Sequence, residues 1–177
     1  VVPNGVDTVA YQPFPPCQTP TVLFVGTMNY PPCVDAMLYF VCEVAPLIRR
    51  HIADLHISIV GANPARQVQA LASDSVTVTG RVPEVAPYYA QNAVAVVPLR
   101  AGGGTRLKIL EAMAYGRPVV ATTIGAEGLE VEDGEHLLIG DTPQAMAAHV
   151  VALLQDAALY RRLAEAARAR VVERYDW

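Results

Sequence analysis

The sequence lacks the residue patterns of disulfide-stabilised and zinc-binding proteins. Its 177 residues contain three cysteines, Cys17, Cys33 and Cys42, and no CxxC pair. An odd number of cysteines at such spacings supports neither a disulfide framework nor a structural zinc site. The four histidines also lack metal-ligand spacing, so no metal site is predicted. Free thiols, and hence a cytoplasmic location, are the expectation.

Membrane-spanning and nucleic-acid-binding patterns are absent as well. No uninterrupted apolar run reaches the roughly 18 to 20 residues that a membrane span needs, and the first residues do not form a signal peptide. The 13 lysines and arginines are scattered, and the net charge is −4. Because a nucleic-acid surface needs a basic stripe, no nucleic-acid partner is predicted. Neither GxxxxGK[ST] nor GxGxxG occurs, which excludes a P-loop and leaves the dinucleotide-binding fingerprint missing.

What the chain has is a regular alternation of short apolar segments and helical patterns. It is 53% hydrophobic and 17% charged, which suits one globular domain with a sizeable core. Such an alternation indicates βαβ units and a parallel sheet. We therefore predict an α/β, Rossmann-like, doubly wound parallel sheet of about six strands. The predicted strands are 21–27, 55–61, 75–79, 93–97, 118–121 and 136–139.

The stretch from Pro98 to Thr123 organises the prediction. It follows an apolar strand and begins with the glycine loop, Gly102, Gly103 and Gly104, whose residues can adopt positive φ or lie close to a ligand. Thr105 is a good N-cap for a helix that runs to about Tyr115, and Gly116 suits the left-handed position after it. The pattern predicts strand, glycine loop, helix and strand in succession.

This arrangement has a chemical consequence. A helix N-terminus offers unpaired N–H groups and a partial positive charge, which hold anions such as phosphate. Arg106 and Lys108 add cations in the first turn, where they oppose the helix dipole unless an anion is bound. Glu111 lies one turn further on and could accept hydrogen bonds from a sugar diol. A plain glycine loop and a surface pair of Lys108 with Glu111 form the alternative interpretation.

The segment Gly103–Ala121 resembles the donor-binding signature of the GT-B glycosyltransferases of family 4, also called group 1. That signature has two glutamates eight residues apart, followed by AMAxGxPVVA. Glu111 matches the second glutamate, whereas Gly103 stands where the first is usual. The run Pro3–Asp7 resembles the PNGVD segment where such chains enter their second domain. The resemblance implies an interdomain segment at 1–20, a donor-binding domain at 21–177 and an N-terminal acceptor domain outside this sequence.

The resemblance also implies a function and a set of residues. The enzyme would transfer a sugar, with retention of configuration, from a UDP- or GDP-linked nucleotide-diphosphate sugar, without a metal or other cofactor. Glu111 would bind the ribose, the glycine loop and its cations the diphosphate, and the segment after the third strand the base. Catalytic residues are not assigned. The implied donor-binding residues are Gly26, Thr27, Gly80, Arg81, Val82, Gly102, Gly103, Gly104, Thr105, Arg106, Lys108 and Glu111.

One departure concerns the cations beside the first strand. The family often has an arginine and a lysine where this chain has Thr27 and Pro32, so we predict that Arg106 and Lys108 compensate. The expected partners are the nucleotide sugar and the N-terminal domain, in a complete enzyme that is peripheral to a membrane. The alternatives are a non-catalytic nucleotide- or partner-binding module and a GT-B-type nucleotide-sugar epimerase. A solvent-exposed apolar face would favour a docked domain, and a wholly polar surface the binding module.

Overall fold

The structure, a computed structural model, describes residues 5–104 and 106–177. The strands of this part of the chain form one six-stranded sheet in the order β3-β2-β1-β4-β5-β6, and every neighbouring pair is parallel. The predicted α/β class and the predicted parallel sheet of about six strands are therefore confirmed. The strands are β1 Thr21–Val25, β2 His56–Val60, β3 Val76–Val78, β4 Val94–Val97, β5 Val119–Ala121 and β6 Leu138–Ile139.

The central strands are apolar because helices cover both faces of the sheet. All four residues of β4 and all three of β5 are buried, and the interior of β1 is buried too. A strand buried on both faces has no polar side, so it shows a continuous apolar run rather than alternation. The observed strands are shorter than the predicted ones, most clearly β6, which has two residues where we expected it to start at His136.

The helix predicted to run to about Tyr115 is observed as Leu107–Ala114. Capping explains two of the starts: the Thr142 side chain accepts from the Ala145 N–H, and Asp156 accepts from the N–H groups of Ala158 and Leu159. The helices are α1 Pro31–Tyr39, α2 Ala45–Arg49, α3 Arg66–Gln69, α4 Ala86–Gln91, α5 Leu107–Ala114, α6 Pro143–Gln155 and α7 Ala157–Arg174.

A π-helical segment, Phe40–Val44, joins α1 and α2 into one long helix. Pro46 has no N–H to donate to the carbonyl four residues earlier, and the helix widens just before it. By length and composition alone, Pro31–Arg49 could cross a membrane, which the search for uninterrupted apolar runs did not predict. Its inner side, including Met37 and Ile48, is fully buried in the core, and core helices pass the same test.

The residues before β1 form an irregular strap, residues 5–20. The strap is held to the end of the chain, since the Val6 N–H donates to the Tyr175 carbonyl at 2.9 Å. Arg168 on α7 donates to the carbonyls of Thr8 and Tyr11. The strap therefore lies on the surface of the domain and runs alongside α7. The domain boundary at residue 20 stays a prediction.

The strand order places a crevice at one edge of the sheet. β1 lies between β2 and β4, so the chain leaves β1 toward one side of the sheet and leaves β4 toward the other. In open parallel sheets ligands bind beyond the carboxyl ends of the strands at such a switch point. The crevice between the ends of β1 and β4 is where the predicted site residues have to be sought.

Candidate functional site

The glycine loop occupies the carboxyl end of β4, on one side of the crevice. Gly102 and Gly104 have φ of +105° and +91°, the left-handed conformations that the sequence predicted. A Cβ on Gly102 would lie 3.2 Å from Pro32 Cγ, so the loop also approaches the start of α1 closely. Apart from the adjoining residues, a Cβ on Gly103 or Gly104 would meet no atom of the described residues within 4 Å. The loop is thus fixed at its first glycine and open to solvent at the next two.

The opposite side of the crevice is the end of β1, where Gly26 and Thr27 lie. The Gly26 N–H donates to the Val60 carbonyl, which continues the pairing with β2. A Cβ on Gly26 would lie 3.0 Å from Lys108 Nζ, because the lysine extends from α5 into the space that a side chain would fill. Thr27 is exposed beside it. The structure therefore brings together residues that are some 80 positions apart in the sequence.

Lys108 is a half-buried cation. It forms no ion pair with a carboxylate of the described residues. Its Nζ lies 3.7 Å from Cys33 Sγ and 4.6 Å from the centroid of the Phe24 ring. Burial lowers the pKa of the Lys108 ammonium, which the neighbouring Cys33 partly counteracts. A cation held in this way at the bottom of a crevice suits an anionic ligand.

Arg106 takes a position that the sequence did not indicate. The helix begins at Leu107, so Arg106 precedes it rather than lying in its first turn. The Arg106 side chain is buried, and it donates to three main-chain carbonyls at 3.0 to 3.2 Å, those of Gly102, Gly103 and Ile124. Direct contact of Arg106 with a phosphate stays a prediction, whereas its contacts with the loop are observed.

Glu111 lies one turn beyond Lys108 and is half-buried. Burial raises the pKa of the Glu111 carboxyl, while Lys108 and the hydroxyl of Tyr89 lower it. Tyr89 is fully buried, and its own pKa is raised well above its ordinary value, first by burial and then by Glu111. Glu111 is therefore a carboxylate at the border between core and crevice, beside a tyrosine that faces it.

An aromatic stack supports this corner of the crevice. The rings of Tyr89 and Tyr115 are stacked with centroids 5.0 Å apart, and Tyr115 is stacked in turn on Tyr11 and Phe14 of the strap. Such stacked pairs add stability beyond the area that they bury. The strap is thereby connected through α5 and α4 to the surroundings of Glu111.

The segment predicted to frame the base follows β3, at the same edge of the sheet. Gly80 has φ of +71°, Arg81 is exposed, and Val82 is partly buried against the core. β3 lies two strands from β1, or roughly 10 Å. No hydrogen bond between described residues joins this segment to the glycine loop. Thr105, the remaining predicted residue, lies outside the described part of the chain.

Two features escaped the sequence analysis. Arg117, for which no role was predicted, is fully buried and donates to the carbonyls of Pro15, Tyr89 and Ala90 and to the Tyr160 hydroxyl. The turn after β5 brings the Ile124 carbonyl to Arg106. The sequence signal for this close approach was Gly125, directly after Ile124. Only glycine fits there, because a Cβ on Gly125 would lie 2.4 Å from the Val97 carbonyl.

The rim of the crevice carries exposed apolar side chains. Tyr30 follows β1, Leu107 begins α5 and Ile124 follows β5, and their exposed fractions are 45%, 41% and 38%. Within the described residues, no three histidine, cysteine, aspartate or glutamate side chains meet as a metal site. The three cysteines are free thiols.

Comparison with known sequences identifies relatives over nearly the whole chain. A family model of glycosyl transferases group 1 matches residues 19–156. The phosphatidyl-myo-inositol mannosyltransferase of Mycobacterium leprae (strain TN) is 30% identical over an alignment of 188 residues, gaps included. The alignment covers 99% of this chain and 49% of that protein. An uncharacterized 44.6 kDa protein in the cps region of Klebsiella pneumoniae is 25% identical, in an alignment that covers 88% of this chain and 42% of that protein. This chain spans about half the length of the curated relatives it matches.

Solved structures have the same fold. The C-terminal domain of a glycosyl transferase group 1 family protein, LpcC, from Francisella tularensis superposes with a TM-score of 0.75 at 19% identity, covering 97% of this chain and 99% of that one. Anabaena Alr3699/HepE, solved in complex with UDP and glucose, gives a TM-score of 0.78 at 18% identity, covering 98% of this chain and 52% of that one. At these identities the likeness shows the fold.

Proposed function

This chain belongs to the group 1 glycosyl transferases, and on that premise we propose that it is the donor-binding half of a retaining glycosyltransferase. The complete enzyme transfers a sugar from a UDP- or GDP-linked nucleotide-diphosphate sugar to an acceptor. The family assignment is confirmed by the match of residues 19–156. The donor-binding role, the retaining stereochemistry and the identity of the nucleotide are the proposal.

One observation carries the proposal: predicted donor-binding residues from two distant segments meet at the topological switch point. Gly26 and Thr27 end β1, the glycine loop ends β4, and Lys108 extends from α5 to within 3.7 Å of Cys33 beneath Gly26. This is the crevice where open parallel sheets bind nucleotides. The location follows from the strand order, which is independent of the sequence signature that named the residues.

The crevice can stabilise a leaving diphosphate without a metal. Lys108 supplies a half-buried positive charge, and Gly103 and Gly104 supply exposed backbone N–H groups at the start of α5. Fixed donors that face a developing negative charge in a partly water-excluded site are effective in lowering the barrier of group transfer. We assign these groups to the diphosphate, and metal independence stays part of the proposal.

The remaining contacts are assigned by position around the crevice. Glu111 binds the ribose hydroxyls, since its raised pKa shows a carboxylate that lacks full solvation and gains from hydroxyl donors. Gly80, Arg81 and Val82 flank the base. The hexose lies beside Gly103, where the family's first glutamate is replaced. Apart from the adjoining residues, no atom of the described chain lies within 4 Å of the Cβ position there.

The other half of the active site belongs to an N-terminal acceptor domain. The chain spans about half of its curated relatives, and its crevice is bordered by the exposed Tyr30, Leu107 and Ile124. An apolar rim around a polar crevice favours a docked domain over a free-standing binding module. We propose that the complete enzyme is cytoplasmic and peripheral to a membrane, and that this chain alone binds donor weakly and transfers no sugar.

The test is calorimetry of UDP, GDP and ADP with this chain, its Glu111→Ala variant and a matched Glu165→Ala variant. Glu165 is an exposed residue of α7, so its replacement controls for the loss of one carboxylate. We expect one of the nucleotides to bind, the Glu111→Ala variant to lose at least tenfold in affinity and the Glu165→Ala variant to match the original. Equal affinity for Glu111→Ala, or no binding even at millimolar nucleotide, contradicts the proposal.

A further inference from the structure

We propose that Arg106 is a positioning residue, which holds the glycine loop so that its N–H groups face the ligand, and is not itself a phosphate ligand. The inference rests on the proposed function and deepens it, because it concerns how the same crevice binds a diphosphate. It is carried by the contacts of Arg106, by the geometry of the peptide groups that it engages and by the construction of the turn on its far side.

Arg106 joins two separate loops. Its Nη1 donates to the Gly103 carbonyl at 3.2 Å, and its Nη2 donates to the carbonyls of Gly102 and Ile124, both at 3.0 Å. Only 5% of the residue is exposed. Both terminal nitrogens are thus engaged by carbonyls, and Nε, which has no hydrogen-bond partner among the described residues, is itself buried. The donors that Arg106 has left are therefore not exposed to the crevice at Nε, where a phosphate would have to reach them. Its charge is spread behind the loop instead of projecting into the crevice.

These contacts determine the direction of the loop N–H groups. In a trans peptide the carbonyl and the following N–H point in opposite directions, and the described chain has no cis peptide. Because the carbonyls of Gly102 and Gly103 point to Arg106, the N–H groups of Gly103 and Gly104 point away from it. Both glycines are exposed, and neither N–H has an acceptor within the described residues. Successive free N–H groups of this kind form an anion-binding concavity.

The third acceptor of Arg106, the Ile124 carbonyl, belongs to a turn that hydrogen bonds hold in place. The Gly125 N–H donates to the Thr122 side chain at 2.9 Å. Thr123, which follows Thr122, donates to Asp141 through both its N–H and its hydroxyl. Gly125 lies against the end of β4, where a Cβ would be 2.4 Å from the Val97 carbonyl. The turn that presents the Ile124 carbonyl is therefore tied to β4 and to Asp141, the second residue after β6. Arg106 transmits this rigidity to a loop of three consecutive glycines.

The shape of the side chain matters more than its charge. Arginine holds its donors in a planar fork, which lets Nη1 and Nη2 engage different carbonyls simultaneously. A lysine in the same place keeps the positive charge but offers one compact ammonium on a flexible stem. A charged phosphate ligand would tolerate lysine better than a neutral residue, whereas a positioning residue would lose its effect with either replacement.

The experiment compares Arg106→Lys and Arg106→Gln with the original chain, using Arg162→Lys as the matched control. Arg162 is an exposed arginine of α7 that donates to a single carbonyl, that of Gly134. Two readouts are taken: the 15N relaxation order parameters of Gly103 and Gly104 without ligand, and calorimetry with UDP, GDP, uridine and guanosine. Circular dichroism melting verifies that each variant is folded.

For both Arg106 variants we expect lower order parameters at the two glycines and at least a tenfold loss of nucleoside-diphosphate affinity. The affinity of both Arg106 variants for nucleosides should match that of the original chain. The Arg162→Lys variant should match the original in both order parameters and affinities. An Arg106→Lys variant that keeps its affinity within twofold while Arg106→Gln loses it would overturn the inference, because charge alone would then be needed. Unchanged order parameters in both variants would overturn it as well.

The relaxation readout separates this inference from the proposed function. If the original chain binds no nucleotide but the Arg106 variants loosen the glycines, the positioning role stands and the donor-binding role fails. If Arg106→Lys does not fold, Asp141→Ala serves instead, because it removes both acceptors that hold the N–H and the hydroxyl of Thr123. We then expect a smaller loss of order at Gly103 and Gly104, and unchanged order would overturn the inference.

Discussion

The two ends of α5 are each held by a buried arginine, but the two arginines have different surroundings. At the carboxyl-terminal end, Arg117 is 1% exposed and donates to carbonyls of the strap and of α4 and to the hydroxyl of Tyr160 on α7. At the amino-terminal end, Arg106 also donates to three carbonyls, but two of these belong to exposed glycines.

The difference separates a structural end from a ligand-binding end. All three guanidinium nitrogens of Arg117 have acceptors inside the protein, and Tyr89, one of those acceptors, belongs to the aromatic stack of Tyr115. Around Arg106 the protein leaves loop N–H groups free, a lysine without a carboxylate partner and a glutamate with a raised pKa. Groups that are unfavourable in the free protein become favourable when a ligand supplies what is missing. One helix thus combines a stabilising end with a binding end.

The largest effect is expected at the structural end. Arg117→Met leaves the carbonyls of Tyr89, Ala90 and Pro15 without their donor, so we expect the free energy of unfolding to fall by roughly 3–5 kcal/mol. Urea titration followed by circular dichroism measures it. Arg162→Met, which removes one exposed contact, should cost less than about 1 kcal/mol. A loss below about 1 kcal/mol for Arg117→Met would remove the contrast between the two ends.

At the binding end, Lys108→Met should separate binding from stability. The affinity for UDP or GDP should fall at least tenfold, because the half-buried charge opposite the diphosphate is gone. The free energy of unfolding should stay the same or rise, since a partly desolvated ammonium is replaced by an apolar side chain of similar length. Calorimetry and urea titration give the two quantities. Unchanged affinity together with a clear loss of stability would make Lys108 a structural residue.

Glu111→Gln tests the same end through pH. Burial raises the pKa of Glu111 in the folded chain above its ordinary 4.5. The folded state therefore binds the proton more tightly, and this stabilisation is full below the unfolded pKa and lost as the pH rises through the folded pKa. Glutamine removes this dependence. The free energy of unfolding of the variant, relative to that of the original chain, should therefore increase as the pH rises from about 4 to about 7. Urea titrations at both pH values check this, and a gain that is larger at pH 4 would contradict it.

The smallest effect is expected for Gly103→Glu, which restores the family's first glutamate. A Cβ at Gly103 meets nothing within 4 Å, so the free energy of unfolding should change by no more than about 0.5 kcal/mol. Gly102→Glu is the matched control, because its φ of +105° and the nearby Pro32 predict a loss of at least about 1 kcal/mol. Equal losses for the two variants would show that the loop does not have the described conformation.

The local features of the site could be predicted from the sequence because each depends on neighbours in the chain. Gly116 ends α5 with φ of +74°, and Gly102 and Gly104 have positive φ, as expected. The predicted end of the helix after the glycine loop, at about Tyr115, agrees with the end of α5 at Ala114. The cleft position of Gly26 also followed from its place at the end of a predicted strand.

The partners of the charged residues could not be predicted in the same way. Arg106 and Arg117 lie on either side of α5; Arg106 was predicted to bind the diphosphate, and no role was predicted for Arg117. Their acceptors include Ile124, 18 residues away, and Pro15, 102 residues away. A guanidinium is buried only where several carbonyls converge, and that convergence depends on how the loops and the strap are arranged in space.

By itself the sequence determined the α/β class, the parallel sheet and the family, because apolar runs, helical spacing and the signature around Glu111 are local patterns. Only the tertiary structure decided that β1 and β4 are neighbours, that Lys108 extends beneath Gly26, and that Arg106 supports the glycine loop from behind. The physical reason is distance along the chain. Strand order and side-chain convergence arise from contacts between segments that no local pattern connects.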